Sequence, residues 1–169
     1  ETDMILLESP ATFVFCAVDI RGVAKIAKEH GIRTYIDNTY CTPIYQKPLT
    51  MGIDIVMHTM SKYIGGHSDI IGGVVAGRRE DVEQMAQNER ELFGAVMSPF
   101  DSWLMLRGIR TLPVRMRQHM KNALEMAAYF QELDIVKEVI YPYWNTHPQY
   151  ELAKRQMTGA SGLMSVVFD

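Results

Sequence analysis

Only two cysteines occur in the 169 residues, Cys16 and Cys41, and neither stands in a CxxC or other metal-ligand spacing. A disulfide scaffold and a structural zinc site are both excluded on that ground, and a reducing cytoplasm is the expected setting. Long apolar runs are also missing: none approaches the roughly 20 residues that cross a bilayer, so no membrane partner is expected. Positive charge is in short supply, with 17 Lys and Arg against 20 Asp and Glu, a net charge of −3. That balance gives no basic field for phosphate backbones, so nucleic acid is not an expected partner. There is no internal repeat and no low-complexity tract. What is present is a composition with 47% apolar and 22% charged residues, which fits a folded globular domain. The chain starts at Glu1 without an initiator Met and stops inside the β-prone run 163–169. Both ends read as cuts through a longer protein.

Met4-Ile5-Leu6-Leu7-Glu8 is a continuous apolar run suited to a strand buried on both faces. Asp19 can cap a helix carrying Ile20, Val23, Ala24, Ile26 and Ala27, with Gly31 as its stop. Residues 32–36 read as a second strand ending at Asp37, and residues 53–57 as a third ending at His58-Thr59. Strand, helix and strand joined by short links predict an α/β fold with a mostly parallel sheet, whose ligands gather at the carboxyl ends of the strands. A further strand is predicted over 72–77, helices over 80–92 and 101–107, and a long helix over 114–133 with Pro113 in its first turn. A new strand begins at 135–141, and Pro142 and Pro148 bracket a loop. The predicted division is 1–134 for the central part of a large domain with its linking helix, and 135–169 for the start of a smaller α+β domain.

Chemistry concentrates in Thr59-Met60-Ser61-Lys62-Tyr63-Ile64-Gly65-Gly66-His67-Ser68-Asp69. Hydroxyls in a turn after a strand can donate to a phosphate. A lysine partly desolvated there reacts with a carbonyl as the free amine. The simpler alternative is a solvated lysine in a polar turn. Asp37 ends the second strand, where a carboxylate needs a cation or donors; a protonated pyridine nitrogen would serve, and so would an Asx turn with Asn38-Thr39. His58 and His67 lack partners at metal-ligand spacing and read as hydrogen-bonding scaffold. Met116, Met120 and Met126 read as core filler. Arg107, Arg110, Arg115 and Arg117 read as a solvated or interface cluster.

The run Ser61 to Asp69 resembles the cofactor-lysine signature of the Cys/Met-metabolism (trans-sulfuration) family of pyridoxal-phosphate (PLP) enzymes, which includes cystathionine γ-synthase, cystathionine lyases, methionine γ-lyase and O-acetylhomoserine sulfhydrylase. Asp37-Asn38-Thr39, Lys47-Pro48-Leu49, Ser98-Pro99-Phe100-Asp101, Thr111-Leu112-Pro113 and His147-Pro148-Gln149 extend the resemblance over nearly the whole chain. The resemblance implies the type I, aspartate-aminotransferase-like fold and pyridoxal 5′-phosphate as cofactor. It implies that Lys62 forms the aldimine and then shuttles protons, that Asp37 pairs with the pyridinium nitrogen, and that Thr59 and Ser61 bind the phosphate. The implied reaction is elimination or γ-replacement on a sulfur amino acid, with a carbon–sulfur lyase favoured over a cystathionine γ-synthase or O-acylhomoserine sulfhydrylase type of transferase. The implied assembly is a homotetramer, a dimer of dimers. A non-catalytic binding or assembly module on the same fold is the rival reading.

Two departures stand out. Thr12-Phe13 replaces a usual Asn-Pro, which puts a hydrogen bond to the cofactor's phenolic oxygen in question, although a threonine hydroxyl can supply one. Tyr143-Trp144 replaces Gly-Leu in a loop. The resemblance places a ring-stacking aromatic, a glycine-led phosphate loop and a carboxylate-binding arginine outside these 169 residues, so the piece alone is expected to be inactive.

Overall fold

Asp19 starts helix α1 (Ile20–Glu29) by accepting the Gly22 amide on its carboxylate at 3.1 Å. Gly31, at a φ of 67°, turns the chain out of it. The computed structural model describes all 169 residues. Around α1 run strands β1 (Met4–Glu8), β2 (Arg33–Asp37), β3 (Ile55–Thr59) and β4 (Gly73–Gly77), in that order across one sheet. The first three are parallel and β4 is antiparallel to β3. Glu8 pairs with Asp37, Asp37 with Met57, and Thr59 with Gly73. The carboxyl ends of the three parallel strands therefore open toward one edge, as the sequence predicts for an α/β fold.

The third strand starts two residues later than its apolar run suggests. The Asp54 carboxylate accepts both the amide and the hydroxyl of Thr34 at 2.9 Å, and the Asp54 amide donates back to Thr34 Oγ1 at 2.9 Å. Those bonds occupy the residues just before ladder pairing begins at Ile55. The strand thus ends on Thr59 itself, which places Thr59 inside the sheet rather than beyond it.

Short helices α2 (Thr42–Tyr45), α3 (Arg79–Met85) and α4 (Glu91–Phe93) fill the connections. Helix α5 (Pro99–Ile109) begins earlier than predicted, because Ser98 Oγ caps the Asp101 amide at 3.0 Å and Pro99 suits a first turn. Helix α6 (Leu112–Gln131) follows directly. Beyond it, β5 (Val136–Ile140) and β6 (Ser165–Phe168) form an antiparallel pair with helix α7 (Tyr150–Gln156) between them, a helix the sequence pattern did not reveal. No helix is long and apolar enough to cross a membrane.

One cluster of buried side chains joins Tyr40, Cys41 and Tyr45 to Met116, Tyr141, Ala153 and Met157, so residues from both sides of position 134 share a core. Met116 is fully buried there, whereas Met126 is exposed rather than core filler. Two side-chain amides, one at the N-cap of α7 and one at its end, fasten α7 to residues 17–20 at the start of α1. Gln149 accepts the Ala17 amide at 2.7 Å and donates to the Ala17 carbonyl at 2.8 Å. Gln156 accepts the Ile20 amide at 3.4 Å and donates to the Val18 carbonyl at 2.8 Å.

Candidate functional site

After β3 the chain makes a π-helical turn over Met60–Ile64. Lys62 departs from helical geometry inside that turn, at φ −101° and ψ −122°. The first half is tied to the sheet edge by the Met60 amide on the Gly72 carbonyl (2.9 Å) and by Ser61 Oγ accepting the Gly72 amide (3.4 Å). The second half closes through the amides of Gly65 on Met60 and Gly66 on Lys62, both at 2.8 Å. Lys62 thus sits at a kink whose two sides are held separately, and its side chain makes no ion pair or hydrogen bond with the rest of the chain.

A cavity of about 440 Å³ opens at this turn. Ser61, Lys62 and Tyr63 line one side, and Glu8, Thr12 and Phe15 another. Tyr40, Arg115, His119 and Leu163 also border it. Of the residues singled out from the sequence, Ser61 and Lys62 reach this cavity directly. Asp37 and Thr59 do not border it; they lie beside it at the ends of β2 and β3, joined through Thr39, whose Oγ1 accepts the Thr59 amide at 2.8 Å. Lys62 itself is exposed, so this chain does not desolvate the amine as expected. Any desolvation has to come from other groups placed over it.

Asp37 is half-buried and accepts the Thr39 amide on Oδ1 at 2.8 Å, which is the Asx-turn contact. Oδ2 accepts nothing, and no lysine or arginine pairs with the carboxylate. The turn contact therefore leaves one carboxylate oxygen open to a cationic ligand. Next to it, His58 is buried with Nδ1 lacking a partner. Burial lowers its pKa, the nearby Asp37 opposes that shift, and the ring stays the neutral neighbour of the carboxylate near pH 7. His58 is thus not a fully satisfied scaffold residue, while His67 has its Nδ1 3.0 Å from the Gly65 carbonyl.

Thr12 is held by Glu8, which accepts both its amide, at 3.2 Å, and its hydroxyl. A hydroxyl has one proton, and here it goes to Glu8. In this arrangement Thr12 can accept from the cavity but cannot donate into it, so it does not replace the amide donor of a usual asparagine. Phe13 follows in the left-handed region, at a φ of 65°, a conformation closed to the proline that usually stands there.

Arg115 is the residue that sequence reasoning placed wrongly. It is half-buried, not a solvated member of the basic cluster. Its Nη1 donates to the Tyr63 carbonyl at 2.6 Å, Nη2 to the carbonyls of Gly108 at 2.9 Å and Ile64 at 3.3 Å, and Nε to Thr111 Oγ1 at 2.9 Å. One signal was available: a cation in the first turns of α6 opposes the helix dipole, so it needs another reason to be there. Burial lowers the Arg115 pKa, and burial together with Arg115 lowers that of His119. Tyr63 stacks edge-on against His119 and receives the Gly162 amide on its hydroxyl at 3.2 Å.

Together these groups offer an unpaired amine, a half-free carboxylate and hydroxyls at adjoining strand ends. Thr59 Oγ1 has no nearer partner than the Met57 sulfur at 4.0 Å, so its proton is available. An aldehyde, a protonated pyridine nitrogen and a phosphate are the ligand groups that these donors and acceptors complement, and pyridoxal 5′-phosphate carries all three.

The model of the family described as Cys/Met metabolism PLP-dependent enzyme matches residues 1–169. A probable cystathionine γ-synthase of Herpetosiphon aurantiacus is 42% identical over 166 residues, which are 98% of this chain and 52% of the relative. An L-methionine γ-lyase of Pseudomonas putida is 42% identical over 165 residues, 97% of this chain and 42% of that protein. The crystal structure of a cystathionine γ-lyase from Lactobacillus plantarum superposes with a TM-score of 0.95 at 36% identity, covering 99% of this chain and 44% of the other. The chain spans about half the length of the curated relatives it matches.

Proposed function

Because the chain belongs to the Cys/Met-metabolism family of PLP-dependent enzymes, we propose that the whole protein is a carbon–sulfur lyase acting on a sulfur amino acid, with Lys62 as the covalent holder of the cofactor. Pyridoxal phosphate, when bound, supplies an electron sink that acidifies the hydrogen on the substrate's Cα. The chain's own groups do the rest. Lys62 Nζ would hold the cofactor at its aldehyde and, as a free amine, would take the Cα proton as a general base. Asp37 Oδ2, free of the turn contact, would accept a hydrogen bond from the proton-bearing ring nitrogen and keep that proton in place. Thr59 and Ser61 hydroxyls would donate to the phosphate. The carbon–sulfur bond then breaks at Cβ or Cγ. A tetramer built from dimers belongs to the same reading.

The observation that carries it is the placement of an unpaired lysine at the cavity edge, one strand from a carboxylate with a free oxygen. A second reading is favoured by a specific fact: the synthase and lyase relatives are equally similar to this chain, at 42% identity each. That reading is γ-replacement, in which a thiol adds where the leaving group departs.

The test begins with the whole protein incubated with pyridoxal 5′-phosphate, reduced with borohydride and digested for peptide mass mapping. The adduct is expected on Lys62. The enzyme is then offered cystathionine, methionine, and O-acetylhomoserine with a thiol. Release of keto acid and ammonia identifies the lyase, and a new thioether without keto acid identifies the transferase. A folded, cofactor-saturated protein with no adduct on Lys62 and no turnover would instead be a binding or assembly module.

A further inference from the structure

The exposed side chain of Lys62 takes its direction from the backbone that carries it, since it touches nothing else that would orient it. The first half of its turn is tied to the sheet through Gly72. The second half is tied to the elbow between α5 and α6, and three residues make that junction. Gly108, at the end of α5, lies so close that a Cβ there would meet the Ile64 carbonyl at 2.9 Å and press on the Gly65 carbonyl. Gly66, at a φ of 79°, leaves the space that the Arg115 guanidinium fills, and a Cβ at Gly66 would collide with it. Arg115 spans the gap, donating to two carbonyls of the lysine turn, one of α5 and the hydroxyl of Thr111. No carboxylate contacts it; three of its four hydrogen bonds go to backbone carbonyls and the fourth to the Thr111 hydroxyl. A planar fork with several N–H groups is suited to reaching acceptors on two separate segments at once.

We propose that Arg115 is a positioning residue for Lys62: by pinning the Tyr63 and Ile64 carbonyls to the α5–α6 elbow, it fixes the direction in which the amine is presented to the cofactor. The proposal rests on the reading that Lys62 carries the cofactor. Loss of the clamp frees the second half of the turn while leaving the phosphate-facing hydroxyls, which belong to the first half, in place. Covalent attachment and cofactor binding therefore separate. Attachment is the condensation of the Lys62 amine with the cofactor aldehyde, expelling one water, and it depends on the angle and distance of approach. A misplacement of about 1 Å is enough to slow such a step by about a hundredfold.

The experiment uses the whole protein and the variants Arg115→Gln, Arg115→Lys and Thr111→Val. Two probes are used: pyridoxal 5′-phosphate, for the rate of attachment from the visible absorption change, and pyridoxine 5′-phosphate, which has an alcohol in place of the aldehyde and reports the pocket alone. Arg115→Gln is expected to attach about tenfold more slowly or worse, with its affinity for pyridoxine 5′-phosphate within about twofold of the parent. Arg115→Lys recovers part of the rate, because a point charge reaches fewer of the carbonyls. Thr111→Val, which removes one acceptor of the guanidinium, slows attachment about two- to threefold. Unchanged attachment in folded Arg115→Gln overturns the proposal, as does an equal loss with both probes, which is the mark of general structural damage. Should Arg115→Gln fail to fold, Thr111→Val decides by the same two criteria. An adduct away from Lys62 in the parent protein is a separate result, and it removes the underlying reading together with the proposal.

Discussion

Lys62→Ala, made in the whole protein, is expected to abolish the borohydride-trapped adduct and to lower turnover by at least about 10³-fold, the range lost when an essential proton-transfer group is removed. The same substitution leaves folding almost untouched. Lys62 is exposed and forms no ion pair and no side-chain hydrogen bond, and substitutions of that kind shift stability by no more than about 0.5 kcal/mol. Its backbone bonds, from Gly66 to the Lys62 carbonyl and around the kink, survive the change. Matched thermal unfolding of the cofactor-free parent and variant, set beside their turnover, checks both halves. A variant that keeps more than a few per cent of the activity excludes Lys62 as the base.

Asp37→Asn separates charge from shape in the same way. An asparagine keeps the acceptor that holds the Thr39 amide, so the turn at the end of β2 is retained. What it loses is the negative charge, which no lysine or arginine of this chain balances. Removing an unbalanced, half-buried charge does not weaken the cofactor-free protein, and its unfolding temperature is expected to hold or rise. Turnover is expected to fall by about 10²- to 10³-fold, the cost of losing one preorganised electrostatic contact in an active site. A variant that unfolds earlier while turning over normally would assign Asp37 to the Asx turn alone.

How far the sequence pattern carried the reading depended on the distance between partners. β1, α1 and β2 were legible because each signal is local: an apolar run, an aspartate cap and a glycine stop. The type I fold and the candidate cofactor residues came from resemblance rather than from periodicity, and the family match agrees with the family and fold. The start of β3 was missed because Thr34 and Asp54, which settle it, stand 20 residues apart. Arg115 was misplaced because its acceptors Tyr63 and Ile64 lie 52 and 51 residues away, where charge clustering carries no information. The exposure of Lys62 was equally out of reach, since desolvation is decided by what covers a residue and not by its neighbours in the chain. Helix α7 is short and follows the Pro142–Pro148 loop, so its periodicity had no room to show.

The two glutamine clamps, Gln149 on Ala17 and Gln156 on Val18 and Ile20, copy the paired bonds of a β-ladder with side-chain amides. The Ala17 and Ile20 amides lie outside any strand, yet both are held by side-chain acceptors at the N-cap and the last residue of α7. Their hydrogen–deuterium exchange is therefore governed by the opening of α7 rather than by the looseness of the segment that carries them, and the two regions form one cooperative unit. Exchange measured by mass spectrometry should show residues 17–20 and 149–157 labelling together, and a Gln149→Ala change should speed the first as much as the second.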